Sequence, residues 1–160
     1  MVVLIRALTY ATLFIALVLV FVPGTVLAWP GVTRPERWGP VQVVGLVVAA
    51  LGLALALWCV LTFAFVGRGT PAPFDPPRRL VVRGPYRFVR NPMYTGAAVA
   101  LAGAALFYRS FPLLGYVALF LLVCHLFVVV YEEPTLRRSL GAEYEDYSRR
   151  VRRWRPRWRP

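Results

Sequence analysis

Four long stretches of this chain carry no charged residue and consist mainly of apolar side chains. They span residues 7–28, 41–66, 91–108 and 110–131. A membrane-spanning helix needs roughly 20 consecutive apolar residues. A membrane β-barrel would instead show alternation with a period of two, which this sequence lacks. The pattern therefore predicts an all-α membrane protein with about four transmembrane helices.

The composition favours a single membrane-embedded unit rather than separate soluble domains, because 59% of the 160 residues are hydrophobic. Residues 1–66 are expected to hold two helices, 67–92 a cytoplasmic loop, 93–133 a helical hairpin, and 134–160 a lid with a basic tail. Arg6 and the run Val26-Leu27-Ala28 resemble parts of a signal peptide. The first apolar run is longer than a usual signal core, so we expect it to be retained.

Arginine placement predicts the orientation of the chain. All 19 basic residues are arginines, and they concentrate in residues 68–90 and after Tyr131. The positive-inside rule then places both termini and the second loop in the cytoplasm. The net charge of +12 suits anionic lipid or an anionic ligand, whereas nucleic acid is not expected as a partner without a soluble domain to bind it. The two cysteines have no metal-ligand spacing, so no metal site is predicted.

A polar segment, residues 83–96, precedes and opens the third apolar stretch. Asn91 is the only asparagine in the chain, and Pro92 follows it. Asparagine is a preferred N-cap and proline is favoured at the first helical position, so a helix is predicted to begin here. Its free N–H groups and Arg90 could hold a carboxylate or phosphate. An ordinary capped helix, next to arginines that only set the membrane orientation, explains the same pattern.

A second polar cluster, Glu132-Glu133-Pro134, is predicted to end the fourth helix. Carboxylates at a helix C-terminus near hydrocarbon require a cationic partner. Arg90 and a bound cationic ligand are both candidates, and the residues leave this choice open. If the two helices form a hairpin, the clusters meet at one membrane face and make a pocket suited to a zwitterion.

Three further features have both a functional and a structural interpretation. His125 lies seven residues before Glu132 and is either a proton acceptor or, the favoured interpretation, a hydrogen-bonding residue between helices. Small residues of the third helix, including Gly96 and Gly103, favour close helix packing over approach of a flat ligand. Apolar residues beyond the fourth helix recur at helical spacing and predict an amphipathic element, broken near Gly141, that could cover the pocket: Leu136, Leu140, Tyr144, Tyr147 and Val151. The Trp–Arg tail after it predicts an interfacial anchor.

These motifs together resemble the isoprenylcysteine carboxyl methyltransferase and phospholipid methyltransferase superfamily, of the bacterial integral-membrane type. That family has Arg-His-Pro-x-Tyr opening one helix, a Glu-Glu pair later, and a Gly-x-Glu-Tyr-x-x-Tyr segment beyond. Here the corresponding residues are Arg90 to Tyr94, Glu132-Glu133 and Gly141 to Tyr147. The resemblance covers roughly the C-terminal half of the chain, and Asn91 stands where many relatives have histidine.

The resemblance implies an integral-membrane enzyme that moves a methyl group from S-adenosylmethionine to a lipophilic acceptor, such as an isoprenylcysteine-like carboxylate or a phospholipid amine. Arg90 and Glu132 are the implied catalytic residues. The implied cofactor-binding residues are Tyr86, Asn91, Pro92, Tyr94, Gly96, Glu133, Tyr144 and Tyr147. Membrane lipid and a lipophilic or lipidated substrate are the expected partners. Asn91 cannot titrate, so an acid–base role at that position is not expected.

Two other functions stay open at this point. Sterol-type reductases, which use NADPH, also resemble this half of the chain, with Asn-Pro-x-Tyr opening a helix. The Glu-Glu pair and the short chain favour methyl transfer over reduction. A non-catalytic membrane protein, whose Arg–Glu pairs organise helices and lipid, is the third possibility.

Overall fold

The computed structural model describes residues 9, 12–29, 35–67 and 80–156, and over these residues the regular structure is helical apart from one isolated bridge. The predicted all-α class is confirmed for this part of the chain. Its helices are α1 (Thr12–Leu27), α2 (Pro40–Thr62), α3 (Pro92–Tyr108), α4 (Phe111–Phe127), α5 (Glu133–Leu140) and α6 (Ala142–Arg150). Wider π-helical turns occur at Ile15–Phe21, Phe63–Gly67 and Val128–Glu132, and a 3-10 turn, Gly84–Arg87, precedes α3.

Within the described residues, two helical stretches are long and apolar enough to cross a membrane. These are Pro40–Thr62, with 23 residues, and the continuous run Phe111–Leu140, with 30. α1 and α3 are apolar but shorter than the roughly 20 residues that a bilayer core requires. Large apolar side chains such as Leu51 and Val123 lie exposed on the long helices, which is typical of a surface that faces lipid. A count of four crossings therefore remains a prediction.

Small residues bring α2 and α3 into backbone contact. A Cβ atom added to Gly45 would lie 2.6 Å from the backbone nitrogen of Phe107, and one added to Gly96 would lie 2.9 Å from that of Ala56. Gly52 and Gly103 face the backbones of Ala100 and Ala49 still more closely. The prediction that small residues of the third helix serve close packing is confirmed, and the partner is α2. Because lipid supplies no hydrophobic drive between helices, such close van der Waals contact is a main source of association.

A tight turn joins α3 to α4 as the predicted hairpin requires. Arg109 adopts a left-handed conformation with φ of 47°, and the side chain of Ser110 accepts a hydrogen bond from the backbone N–H of Leu113 at 3.2 Å. The hydroxyl of Tyr116 on α4 donates to the carbonyl of Val18 on α1 at 3.1 Å. α1 therefore packs against the hairpin.

The prediction that the fourth helix ends at Glu132-Glu133-Pro134 is wrong. The chain winds through the wider turn Val128–Glu132 and continues as α5, with Pro134 in the first turn of that helix. A proline is tolerated there because it lacks the N–H that would otherwise go unpaired. The two carboxylates thus lie within a continuous helical run. The negative end of a helix dipole therefore does not explain why they need a cationic partner.

The helical run ends instead at Gly141, as predicted from the sequence. Gly141 has φ of 52° and ψ of −128°, a conformation that is essentially restricted to glycine. α6 then folds back, and Tyr144, Tyr147 and Val151 are buried against Leu80 and α5. The predicted apolar face is confirmed, while residues 1–8, 68–79 and 157–160, which include much of the predicted basic loop, lie outside the described residues.

The contact between α2 and α3 predicts that even a methyl side chain at Gly52 lowers the stability of the fold. We expect Gly52→Ala to lower the thermal midpoint of the detergent-solubilised protein, because overpacking a rigid contact costs about 1–3 kcal/mol. Gly115→Ala is the matched control: its added Cβ would meet nothing within 4 Å, and alanine has the higher helix propensity. Equal losses in the two variants would contradict the close contact.

Candidate active site

A pocket lies where the segment before α3 meets the junction of α4 with α5 and the inner face of α6. The end of α2 also contributes to its walls, and the close packing of α2 with α3 holds the segment before α3 in place. The lining residues are Phe63, Leu80, Val81, Tyr86, Arg90, Asn91, Val128, Glu132, Glu133, Leu136, Tyr144 and Tyr147.

Glu133 is the most strongly paired group in the pocket wall. Arg153 donates to it from two nitrogens, Nε to Oε1 at 2.5 Å and Nη2 to Oε2 at 3.0 Å. Arg90 approaches Oε1 with Nη1 at 3.2 Å, and Arg137, one turn along α5, lies 3.8 Å from Oε2. The Glu133 side chain is only 5% exposed. Three arginines thus compensate one buried carboxylate, which satisfies the rule that buried charges are paired.

Glu132 has a different environment. Its Oε2 atom accepts a hydrogen bond from the hydroxyl of Tyr94 at 3.2 Å, and no arginine among the described residues forms an ion pair with it. The residue is half-buried and lines the pocket. A carboxylate in this position attracts a cationic group in the pocket, since burial without a counter-charge is costly.

Arg90 faces the pocket with its hydrogen-bonding capacity partly unused. Its Nη1 atom donates to the hydroxyl of Tyr144 at 3.2 Å as well as pairing with Glu133. Its Nε atom is buried and has no hydrogen-bond partner among the described residues. Unpaired buried donors are rare in folded proteins. Arg90 is therefore suited to an anionic ligand that the protein alone does not supply.

The backbone beside Arg90 pairs with residues 151–154, which we call the strap. The backbone N–H of Arg90 donates to the carbonyl of Arg152 at 2.9 Å, and Val89 and Arg152 form a parallel bridge. Asn91 donates from its side-chain nitrogen to the carbonyl of Arg153 at 3.3 Å. The predicted helix start is confirmed, since Asn91 is the N-cap residue and Pro92 begins α3, but the side chain of Asn91 makes no capping hydrogen bond. Its amide fastens the strap instead.

Two tyrosines of α6 close the pocket beside Arg90. The hydroxyl of Tyr147 donates to the carbonyl of Tyr86 at 2.6 Å, and Tyr144 accepts from Arg90. Burial raises the pKa of both Tyr144 and Tyr147 above the usual phenol value. Both phenols are therefore protonated at neutral pH and are poor candidates for a general base.

His125 lies outside the pocket lining. Its Nδ1 atom accepts a hydrogen bond from the indole N–H of Trp154 at 3.2 Å, and its side chain is exposed. The favoured sequence interpretation, a hydrogen-bonding histidine, is therefore confirmed, although its partner is the strap rather than a neighbouring helix. No group of three or more His, Cys, Asp or Glu side chains in the described ranges could hold a metal ion.

Most of the residues predicted for the site converge on the pocket. Those that line it are Tyr86, Arg90, Asn91, Glu132, Glu133, Tyr144 and Tyr147. Tyr94 adjoins it through Glu132, whereas Pro92 is buried at the start of α3 and Gly96 contacts α2.

Sequence reasoning missed Arg153 and the apolar lining residues Phe63, Val81 and Val128. The one available signal for Arg153 was that a buried carboxylate needs a cationic partner. The sequence does not show which of the 19 arginines is that partner.

Comparison with known proteins identifies related sequences. The model of the phospholipid methyltransferase family matches residues 41–143, a region that contains α2 to α5 and both glutamates. Two rice proteins, from Oryza sativa subsp. indica and subsp. japonica, are each named probable protein-S-isoprenylcysteine O-methyltransferase and are 32% identical to this chain over 122 residues. The aligned region covers 72% of this chain and 61% of each relative, so the chain spans less than two thirds of their length. No solved structure matches.

The pairing of Glu133 predicts a large stability loss when its charge is removed. We expect Glu133→Gln to destabilise the protein by about 3 kcal/mol, because it leaves the largely buried Arg90 and the partly buried Arg153 without their carboxylate. Glu143→Gln is the control, since Glu143 is an exposed acid in the first turn of α6 and surface changes usually stay within about 0.5 kcal/mol. Thermal unfolding in detergent would measure both, and similar midpoints would contradict a structural role for Glu133.

Proposed function

This chain belongs to the phospholipid methyltransferase family, and on that basis we propose that it is an integral-membrane enzyme that transfers a methyl group from S-adenosylmethionine to a lipophilic acceptor. The relatives named as isoprenylcysteine O-methyltransferases support this class of reaction. The presence of two apolar helices long enough to cross a bilayer supports a membrane location.

The observation that carries the proposal is the unequal pairing of the two carboxylates. Among the described residues, Glu133 is engaged by three arginines, while the partner of the Glu132 carboxylate is a tyrosine hydroxyl. On the same wall, the buried Nε atom of Arg90 has no hydrogen-bond partner within these described ranges. The pocket therefore offers one carboxylate and one guanidinium to a ligand. S-adenosylmethionine fits both, because it has a carboxylate beside an ammonium and a sulfonium group.

The residues have distinct proposed roles. Glu132 attracts the cationic part of the cofactor, with Tyr94 orienting its carboxylate through the hydroxyl contact. Arg90 binds a carboxylate of the cofactor or the acceptor, and Tyr144 positions the guanidinium. The remaining predicted cofactor residues shape the surroundings of the pocket. Tyr86 and Tyr147 are hydrogen-bonded to each other, Asn91 holds the strap, and Glu133 positions the arginines. Pro92 and Gly96 act through the placement of α3.

When bound, S-adenosylmethionine supplies a methyl group on a positively charged sulfur, and the transfer discharges that charge. The chain's contribution is alignment and exclusion of water, which account for much of the rate in such displacements. The apolar lining, including Phe63, Val128 and Leu136, provides a dry wall. A carboxylate acceptor needs no base, whereas an amine acceptor must lose a proton, and Glu132 is the lining carboxylate free to accept it.

For the orientation, we propose that both termini face the cytoplasm of a bacterial inner membrane. Arginines of the second loop and of the chain beyond α4 support this placement. The pocket would then open at the cytoplasmic face, within reach of both membrane lipid and soluble cofactor. A cysteine placed at the exposed position of Glu143 should be labelled in inverted vesicles, and labelling from outside intact cells would contradict the orientation.

The first functional test is equilibrium binding of S-adenosylmethionine to the purified protein, with NADPH as the competing ligand. We expect binding of S-adenosylmethionine alone. Glu132→Gln should weaken it roughly tenfold to a hundredfold, because a charge-assisted bond contributes about 1.5–3 kcal/mol. The control Glu145→Gln, at an exposed acid of α6, should bind as the parent does. Binding of NADPH instead would favour a reductase, and binding of neither ligand would overturn the proposed activity.

The second test concerns Arg90. Lysine at this position keeps the charge but loses the planar two-pronged donor, so Arg90→Lys should lower turnover at least tenfold with little change in helix content. Arg87→Lys is the control, because Arg87 is exposed and stacks over the ring of Phe88 at 5.1 Å. A methyl-transfer assay over lipid thiols, amines and carboxylates would compare them. Equal turnover in the parent and Arg90→Lys would remove Arg90 from the site.

A further inference from the structure

Arg153 lies in the basic tail, yet its side chain makes the closest contacts in the pocket wall. It meets Glu133 with two nitrogens on two oxygens, at 2.5 and 3.0 Å. Arg90 meets the same carboxylate through one nitrogen at 3.2 Å. Paired, planar contacts of this kind are the stronger ion pairs. The carboxylate is therefore committed mainly to Arg153.

This division leaves the charge of Arg90 only partly neutralised by Glu133. One carboxylate cannot neutralise both Arg90 and Arg153, and the contact with Arg137 is longer, at 3.8 Å, and involves an exposed side chain. Arg90, by contrast, is 12% exposed and retains a buried Nε without a partner among the described residues. An anion in the pocket would satisfy both the charge and the donor.

We infer that Arg153 is a positioning residue, which holds Glu133 so that Arg90 stays available to an anionic group of the ligand. Without Arg153, Glu133 would pair fully with Arg90 and compete with that group. The inference rests on the proposed function in one respect, namely that the anion is a carboxylate of the cofactor or the acceptor.

The strap is fastened by bonds that do not involve the side chain of Arg153. The backbone of Arg152 accepts from Arg90, the carbonyl of Arg153 accepts from Asn91, and Trp154 donates to His125. A change of the Arg153 side chain should therefore leave the strap in place. The effect on Arg90 can then be measured separately from loss of the fold.

The first arm of the test needs no cofactor. Thermal midpoints of Arg90→Gln, Glu133→Gln and the double variant measure the coupling between the two residues, first with Arg153 present and then in an Arg153→Gln background. We expect the coupling to grow when Arg153 is removed, because Arg90 becomes the main partner of Glu133. Unchanged or smaller coupling would overturn the inference, whether or not the protein binds S-adenosylmethionine.

The second arm measures binding of S-adenosylmethionine. Arg153→Gln should weaken it about tenfold or more, the loss expected for one charge-assisted contact. Arg153→Lys still neutralises Glu133, so this variant should lose less affinity for S-adenosylmethionine. The matched control is Arg138→Gln, since Arg138 is exposed on α5 and remote from Glu133 in the ion-pair pattern.

A double variant separates positioning from a purely structural role. If Arg153 acts through the charge of Glu133, the penalty of Arg153→Gln should largely disappear in a Glu133→Gln background. A penalty of the same size in both backgrounds would overturn the inference. If the parent binds no S-adenosylmethionine, the proposed function fails, and the coupling measurement alone decides the role of Arg153.

Discussion

The buried carboxylate of Glu133 is the interaction on which the arrangement of this protein depends. It connects α5, which carries Glu133 and Arg137, with two other segments of the chain: Arg90 before α3 and Arg153 in the strap. A carboxylate at this depth is unfavourable unless cations surround it, and the arginines are placed accordingly. The same pairing orders the pocket, since Arg90 and Glu133 both line it.

The cluster of arginines around Glu133 depends on apolar helix packing, which holds its members in position. Glycines of α2 and α3 allow backbone contact between the helices, as at Gly52 and Ala100. This contact sets the position of the α3 N-terminus, where Arg90 and Asn91 lie. On the opposite side, the turn at Gly141 directs α6 back so that Tyr144 reaches Arg90. Close helix packing therefore supports the polar geometry of the pocket.

Adjacent glutamates in this structure have separate tasks. Glu133 is paired with arginines and organises the wall, while Glu132 faces the pocket and has one hydroxyl partner in the part of the chain that the structure describes. Such a pair provides a fixed anionic anchor beside an anionic group that is free for a ligand. The arrangement is consistent with the charge pattern of a cofactor that carries one carboxylate and two cationic groups. It also explains how the two adjacent carboxylates can have different roles in the same pocket.

The apolar runs determined the helices from local information, because hydropathy and length depend on neighbours in sequence: α2, α3 and α4 begin within a residue or two of their predicted positions. The Gly141 break and most lining residues also followed from sequence patterns and resemblance. The path through Glu132-Glu133-Pro134, the side-chain partner of Asn91 and the role of Arg153 did not. The last two depend on which of many similar groups come together across at least 20 residues of chain, and that choice is made by tertiary packing.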